Sequence, residues 1–199
     1  MQRFKWFLAG LAGLLVLLYL LGWFLPAENR AERSVLIETP AAVPYEFLTD
    51  LERVPQWMLP FADPDAGYQT RVAADGRQLH FSRGGESGAW RIAAAQEEAF
   101  VILRSMDREE MELQFEGVEP GGETRLFFGV RAPVEHRFDL SPERRATRLI
   151  WEMRVDFGNN IPGRYLGVFL DELMASEMHQ SLMNLRGLSR QAAETPFEE

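Results

Sequence analysis

The sequence predicts an α+β fold in which an antiparallel sheet packs on one long C-terminal helix, the whole preceded by a single transmembrane helix. Three observations carry this expectation. Trp6 to Leu25, "WFLAGLAGLLVLLYLLGWFL", is a run of 20 residues without a charge. Downstream, the polar clusters "ADG", "RGGESG", "EPGGE" and "SPERRA" separate stretches in which apolar and polar residues alternate. From about Pro162 the period becomes helical, and an apolar stripe recurs over roughly 28 residues.

Taken in order, the first element is the anchor, residues 1–26. At about 1.5 Å rise per residue the uncharged run matches the roughly 30 Å hydrocarbon core of a bilayer. Trp6 and Trp23 stand near its ends, where amphipathic rings favour the headgroup layer. A cleaved signal peptide is the rival reading. Its apolar region would usually be shorter, and Leu25-Pro26-Ala27 is not a small-x-small cleavage site. Arg3, Lys5 and the terminal amine precede the helix, whereas Arg30 and Arg33 follow it interleaved with Glu28 and Glu32. The positive-inside rule then predicts a cytoplasmic N-terminus at the cell membrane and a domain facing outward, periplasmic if the source is bacterial.

A polar linker is expected at 27–33, a domain at 34–190 and a polar tail at 191–199. Ser34 to Glu38 reads as a strand, and Pro44 to Leu51 as a short helix that starts where proline is tolerated. Pro55 restarts the chain and Pro60 ends the next turn. Among the strands, "MELQFEG" places Met111, Leu113 and Phe115 on one face. "RLIWEMRVDF" does the same with Leu149, Trp151, Met153, Val155 and Phe157, the pattern of an antiparallel sheet wet on one side. In "VEHRFDL" this alternation puts His136 on the apolar face with Val134, Phe138 and Leu140, while in "QLHFS" His80 falls opposite Leu79 and Phe81. The closing helix shows Tyr165, Phe169, Leu173, Met174, Met178, Leu182 and Leu185 on a broad apolar face, which the sheet would cover.

The order of one strand, two clipped helices, a long antiparallel sheet and a C-terminal helix resembles the helix-grip fold. The residues resemble the START-like superfamily, often called SRPBCC, and its polyketide-cyclase-like branch. "VLIETPAAVPYEFLTDLERVPQWMLPF" is similar to the family's opening strand and its helices ending in tryptophan before proline. "ATRLIWEM" is similar to its Thr-Arg-hydrophobic-x-Trp strand, and "RYLGVFLDELMASEMHQSLMNLRGL" to its closing helix. Here Ala175 stands where a glycine is frequent, and Ser181-Leu182 where Gly-Leu is frequent. The resemblance implies a curved sheet wrapped around the helix, with a hydrophobic cavity between them that binds apolar small molecules. In some branches it implies cyclisation.

Composition narrows the chemistry. The chain has 199 residues and no cysteine, which removes disulfides, thiolate metal sites and thiol nucleophiles. Its three histidines form no HExxH, and there is no GxSxG elbow, GxGxxG or P-loop. No catalytic residue, metal ligand or cofactor is assigned. Setting Arg3 and Lys5 aside from the 21 basic residues leaves 19 against 30 acidic ones, a formal charge of −11, and Lys5 is the only lysine. Without clustered Lys and Arg, a nucleic-acid partner or an electrostatic lipid face is not expected.

The candidate pocket residues are Trp57, Phe81, Trp90, Phe115, Phe128, His136, Phe138, Trp151, Met153, Phe169, Leu173, Met174 and Met178. Thioethers and aromatic rings suit an adaptable apolar pocket, and they equally suit a solid core. His136 could orient a ligand or donate a proton, or it could be a core histidine with satisfied hydrogen bonds. The expected function is a membrane-anchored module binding a lipid, quinone or polyketide-like molecule. A cyclase or dehydratase, and a non-catalytic assembly partner of a membrane protein complex, are the alternatives.

Overall fold

The computed structural model describes residues 2–84, 86–106, 109–119 and 122–194, with backbone alone for residues 2, 86, 109–119 and 122–131. Helix α1 (Gln2–Gly22) is long and apolar enough to cross a membrane; its side chains are exposed as far as Leu21, and its end meets α4 at the buried Gly22. Strand β1 (Glu28–Ile37) follows almost at once. It is longer than the strand expected from Ser34 and takes in most of the residues read as a linker. Glu28 pairs with Asp156 at one end and Ile37 with Thr147 at the other.

Two short helices come next, α2 (Ala42–Thr49) and α3 (Val54–Trp57), each ending on an extended residue, Asp50 and Met58. Pro55 occupies the first turn of α3, where its missing N–H costs nothing. A single 3-10 turn (Pro64–Ala66) leads into β2 (Gln69–Val72), β3 (Gln78–Arg83), β4 (Glu86–Gln96) and β5 (Phe100–Ser105). In the "ADG" turn, Gly76 takes φ of 69°, a left-handed conformation that side-chain-bearing residues resist.

The chain then departs from the sheet as a separate two-stranded ribbon, β6 (Glu109–Glu119) and β7 (Gly122–Ala132). It returns as β8 (Val134–Glu143), which pairs with β5 as though the ribbon were absent. The base of this excursion is pinned where the Val134 amide donates to the buried Ser105 hydroxyl at 2.8 Å. Strand β9 (Ala146–Asp156) completes a seven-stranded antiparallel sheet in the order β1-β9-β8-β5-β4-β3-β2. The alternation expected for the last strands is present: Leu149, Trp151, Met153, Val155, Val134, His136, Phe138 and Leu140 are all buried.

The C-terminal helical segment is two helices, α4 (Ile161–Gly167) and α5 (Leu170–Glu194). Asn160 caps α4 by accepting from the Gly163 amide at 3.0 Å. Leu170, Met178, Leu182 and Leu185 form the buried stripe of α5, and α2 and α3 lean on its outer half. The curved sheet, this helix and one apolar N-terminal helix make up the predicted α+β, START-like architecture. Its core runs from Ile37, Leu48 and Trp57 through Leu103, Phe138 and Leu149 to Met178 and Leu182.

Candidate functional site

His136 projects from the middle of β8, where its neighbours across the ladder are Leu103 of β5 and Met153 of β9. All three are buried. The imidazole lies against two indoles, with ring centroids 4.7 Å from Trp90 and 5.6 Å from Trp151. Trp151 Nε1 donates to His136 Nδ1 at 3.2 Å. An indole nitrogen can only donate, so Nδ1 must be the acceptor and the proton of the neutral ring resides on Nε2. That Nε2 atom is buried and has no hydrogen-bond partner among the described residues. Burial also pushes the imidazole pKa down to about 3, so the ring is neutral near pH 7.

A second orphan donor belongs to the same aromatic group. Trp57, at the end of α3, stands edge-on to Phe138 and to Trp151 at 5.8 and 6.3 Å, and its Nε1 is likewise buried, without a partner among the described residues. Two polar contacts from α5 hold the backbone at and just after this tryptophan. Asn184 Nδ2 donates to the Trp57 carbonyl at 3.2 Å, and the Leu59 amide donates to the Ser181 hydroxyl at 2.9 Å. Ser181 therefore ties the chain just after α3 to the long helix.

From His136 the aromatic contacts continue outward through Trp90 to Phe81 and Phe61, 5.3 and 5.2 Å from the Trp90 ring, and on to Tyr68. Of the predicted pocket residues, Trp57, Trp90, His136, Phe138, Trp151, Met153 and Met178 are buried in one cluster, with Phe81 and Met174 partly buried at its margin. Phe115 and Phe128 fall on the β6–β7 ribbon, where side chains lie outside the described residues. Phe169 and Leu173 are not brought to the cluster: they are 57% and 41% exposed. The α4–α5 break and the pitch of α5 place them on a stripe beside the one that Leu170, Met178 and Leu182 bury.

Other residues the sequence reading did not single out also matter. Phe61 and Tyr68 sit in irregular chain, where no periodicity marks a side chain as inward. Glu177, one turn before Ser181, is a partly buried carboxyl whose pKa is raised by desolvation. A groove of about 350 Å³ lies between α2, α3 and the end of α5, lined by Phe47, Arg53, Gln56, Leu188, Gln191 and Ala192, and it contains none of the predicted residues. Among the described residues no cluster of His, Asp and Glu is arranged to hold a metal ion.

Chemically, the arrangement is an apolar, aromatic interior with two buried N–H donors that have no partner among the described residues. A neutral imidazole with a pKa of about 3 is a hydrogen-bond donor near pH 7, but neither a proton donor nor an effective base. Unpaired buried donors cost roughly 1–3 kcal/mol each, so an oxygen acceptor delivered to them gains more than its hydrogen bond would in water.

The fold has solved counterparts. A START superfamily protein from Mycobacterium smegmatis superposes with a TM-score of 0.52 at 18% identity, over 82% of this chain and 99% of its own. A protein from Chromobacterium violaceum gives 0.51 at 15% identity, over 81% and 97%. The XoxI protein of Bacillus cereus gives 0.51 at 9%, over 83% and 98%. At these identities the likeness is one of fold. No family model matches the sequence, and no curated protein matches it.

Proposed function

We propose that this chain is a binding module for an apolar small molecule that carries at least one hydrogen-bond-accepting oxygen, held at a membrane by α1. The observation that carries this reading is the pair of buried, unpartnered donors, His136 Nε2 and Trp57 Nε1, within an aromatic cluster between sheet and helix. The START-like fold supports it, because the same sheet-and-helix interior is where such a ligand would be desolvated. A lipid, a quinone or a polyketide-like molecule has the required character: large apolar area, with an ester, carbonyl or hydroxyl oxygen. Burial would supply most of the affinity at about 25 cal/mol per Å² of apolar surface, and the two donors would set orientation. The membrane reading, with the N-terminus cytoplasmic and the domain outward, rests on the length and hydropathy of α1 and on Arg3 and Lys5 before it.

The enzymatic alternative has one observation in its favour, the raised carboxyl of Glu177, which is the kind of group that donates a proton. His136 is unsuited to that role.

Intrinsic fluorescence tests the binding reading. In a Trp6→Phe, Trp23→Phe background the remaining tryptophans are Trp57, Trp90 and Trp151, all in the cluster. Titration with a brominated fatty acid should quench them saturably at one site per chain. Quenching no stronger than that of free tryptophan would overturn the reading.

A further inference from the structure

The end of α1 is clamped to the domain. Arg164 of α4 is buried, and its guanidinium donates to three backbone carbonyls: Gly158 at 2.8 Å, Trp23 at 3.1 Å and Leu25 at 3.2 Å. It also lies 5.4 Å over the Trp23 ring. A helix C-terminus leaves its last carbonyls unpaired and carries partial negative charge, so one arginine here replaces water at the point where α1 ends. Gly22 permits the approach: a Cβ there would collide with Ile161 and press on Tyr165.

The direction of α4 follows from two contacts. Ile161 meets Gly22, and four residues later Tyr165 Oη donates to the carbonyl of Leu18 at 2.6 Å, four residues earlier in α1. Each turn forward along α4 is thus a turn back down α1. Leu18 lies five residues before Trp23, roughly 7 Å along the axis at about 1.5 Å per residue. If Trp23 marks the headgroup layer, Tyr165 is already below it. Phe169, the next position on that face, and its neighbour Val168 are 57% and 52% exposed, and Leu173 follows one turn on at 41%. Asp171 and Glu172 beside them are exposed acids, which restricts the depth to the interfacial layer.

We infer that the α4–α5 elbow is a second membrane contact, in which Val168, Phe169 and Leu173 enter the interfacial layer of the bilayer that α1 crosses. The domain then lies against the membrane instead of swinging on a linker. The occupant is lipid because the helix that brings the elbow there is itself the membrane span, and the patch is apolar with no lysine to attract anionic headgroups. The inference rests on α1 spanning the bilayer, and the test separates the two.

The chain contains no cysteine, so single-cysteine variants can be spin-labelled without further change. Leu14→Cys reports on α1, Phe169→Cys and Val168→Cys on the elbow, and His179→Cys on an exposed site two turns or more along α5. The full chain is reconstituted in phosphatidylcholine vesicles, and collision with oxygen is compared with collision with a water-soluble nickel chelate. The expected result is an oxygen-to-nickel ratio highest at position 14, and several-fold higher at 169 and 168 than at 179. A lipid-like ratio at 14 with 169 and 168 equal to 179 would overturn the elbow contact and leave the anchor standing. A water-like ratio at 14 would overturn the spanning reading and the inference with it.

Discussion

His136 binds its proton at about pH 3 in the folded chain and near pH 6.5 when exposed, because burial between Trp90 and Trp151 denies the charged ring its hydration. Between those values the unfolded chain holds the extra proton. Folding stability should therefore fall as pH drops below about 6.5, by up to about 1.4 kcal/mol per pH unit, until the folded form also protonates near pH 3. Replacing His136 with Asn keeps an acceptor for the Trp151 indole but removes the titration. Denaturant unfolding at a series of pH values should show that variant to be less stable at pH 7 yet flatter with pH across this window. An unchanged slope would mean another group titrates. The placement of His136 was legible from alternation in "VEHRFDL", since a strand of period two leaves no choice of face. Its orphan Nε2 was not legible, because which nitrogen Trp151 engages depends on the register between β8 and β9. Phe169 and Leu173 lie on the exposed part of the helix's apolar face, and a broad apolar face does not reveal which part of it meets the sheet.

Among the elements, α4 links the apolar helix to the domain. Arg164→Leu would remove three charge-assisted hydrogen bonds and strand the carbonyls of Trp23 and Leu25. A loss of about 2–4 kcal/mol is expected where a hydrogen-bonded buried charge is replaced, and Arg164→Lys should recover little of it, since an ammonium cannot reach both sides of the clamp. Hydrogen exchange at the amides of Trp23 to Leu25 and of Arg164 should quicken in both variants, while exchange in β8 and β9 stays slow. Equal protection in wild type and variants would show that the clamp is not what orders the junction. Strands β3, β8 and β9 of the sheet were readable from "QLHFS", "VEHRFDL" and "RLIWEMRVDF", because period-two alternation shows which face is buried. Strand β1 was harder to bound: "ENRAERS" has a linker's composition, and only its pairing with Asp156 to Ile150 on β9 makes it a strand. The division between α4 and α5 falls just after Gly167, where a Cβ would collide with Asn29 and Phe157.

For the molecule as a whole, the START-like fold places an aromatic interior with two donors unpartnered among the described residues next to a helix of membrane-spanning length. The order of elements made a sheet packed on one long helix predictable, and the START-like form of it was expected from the resemblance carried by "VLIETPAAVPYEFLTDLERVPQWMLPF", "ATRLIWEM" and the closing helix. The ligand was not predictable, since affinity for apolar compounds comes from area and not from any motif. The central claim, that the interior binds an apolar molecule bearing an oxygen acceptor, is tested most directly by isolating the full chain in mild detergent and extracting it for mass spectrometry. A His136→Phe, Trp57→Phe variant prepared identically serves as control. The account predicts one oxygen-bearing apolar compound near one equivalent per chain in the wild type, and a marked loss of it in the variant. The same compounds at the same level in both, or none from well-folded wild-type protein, would contradict it.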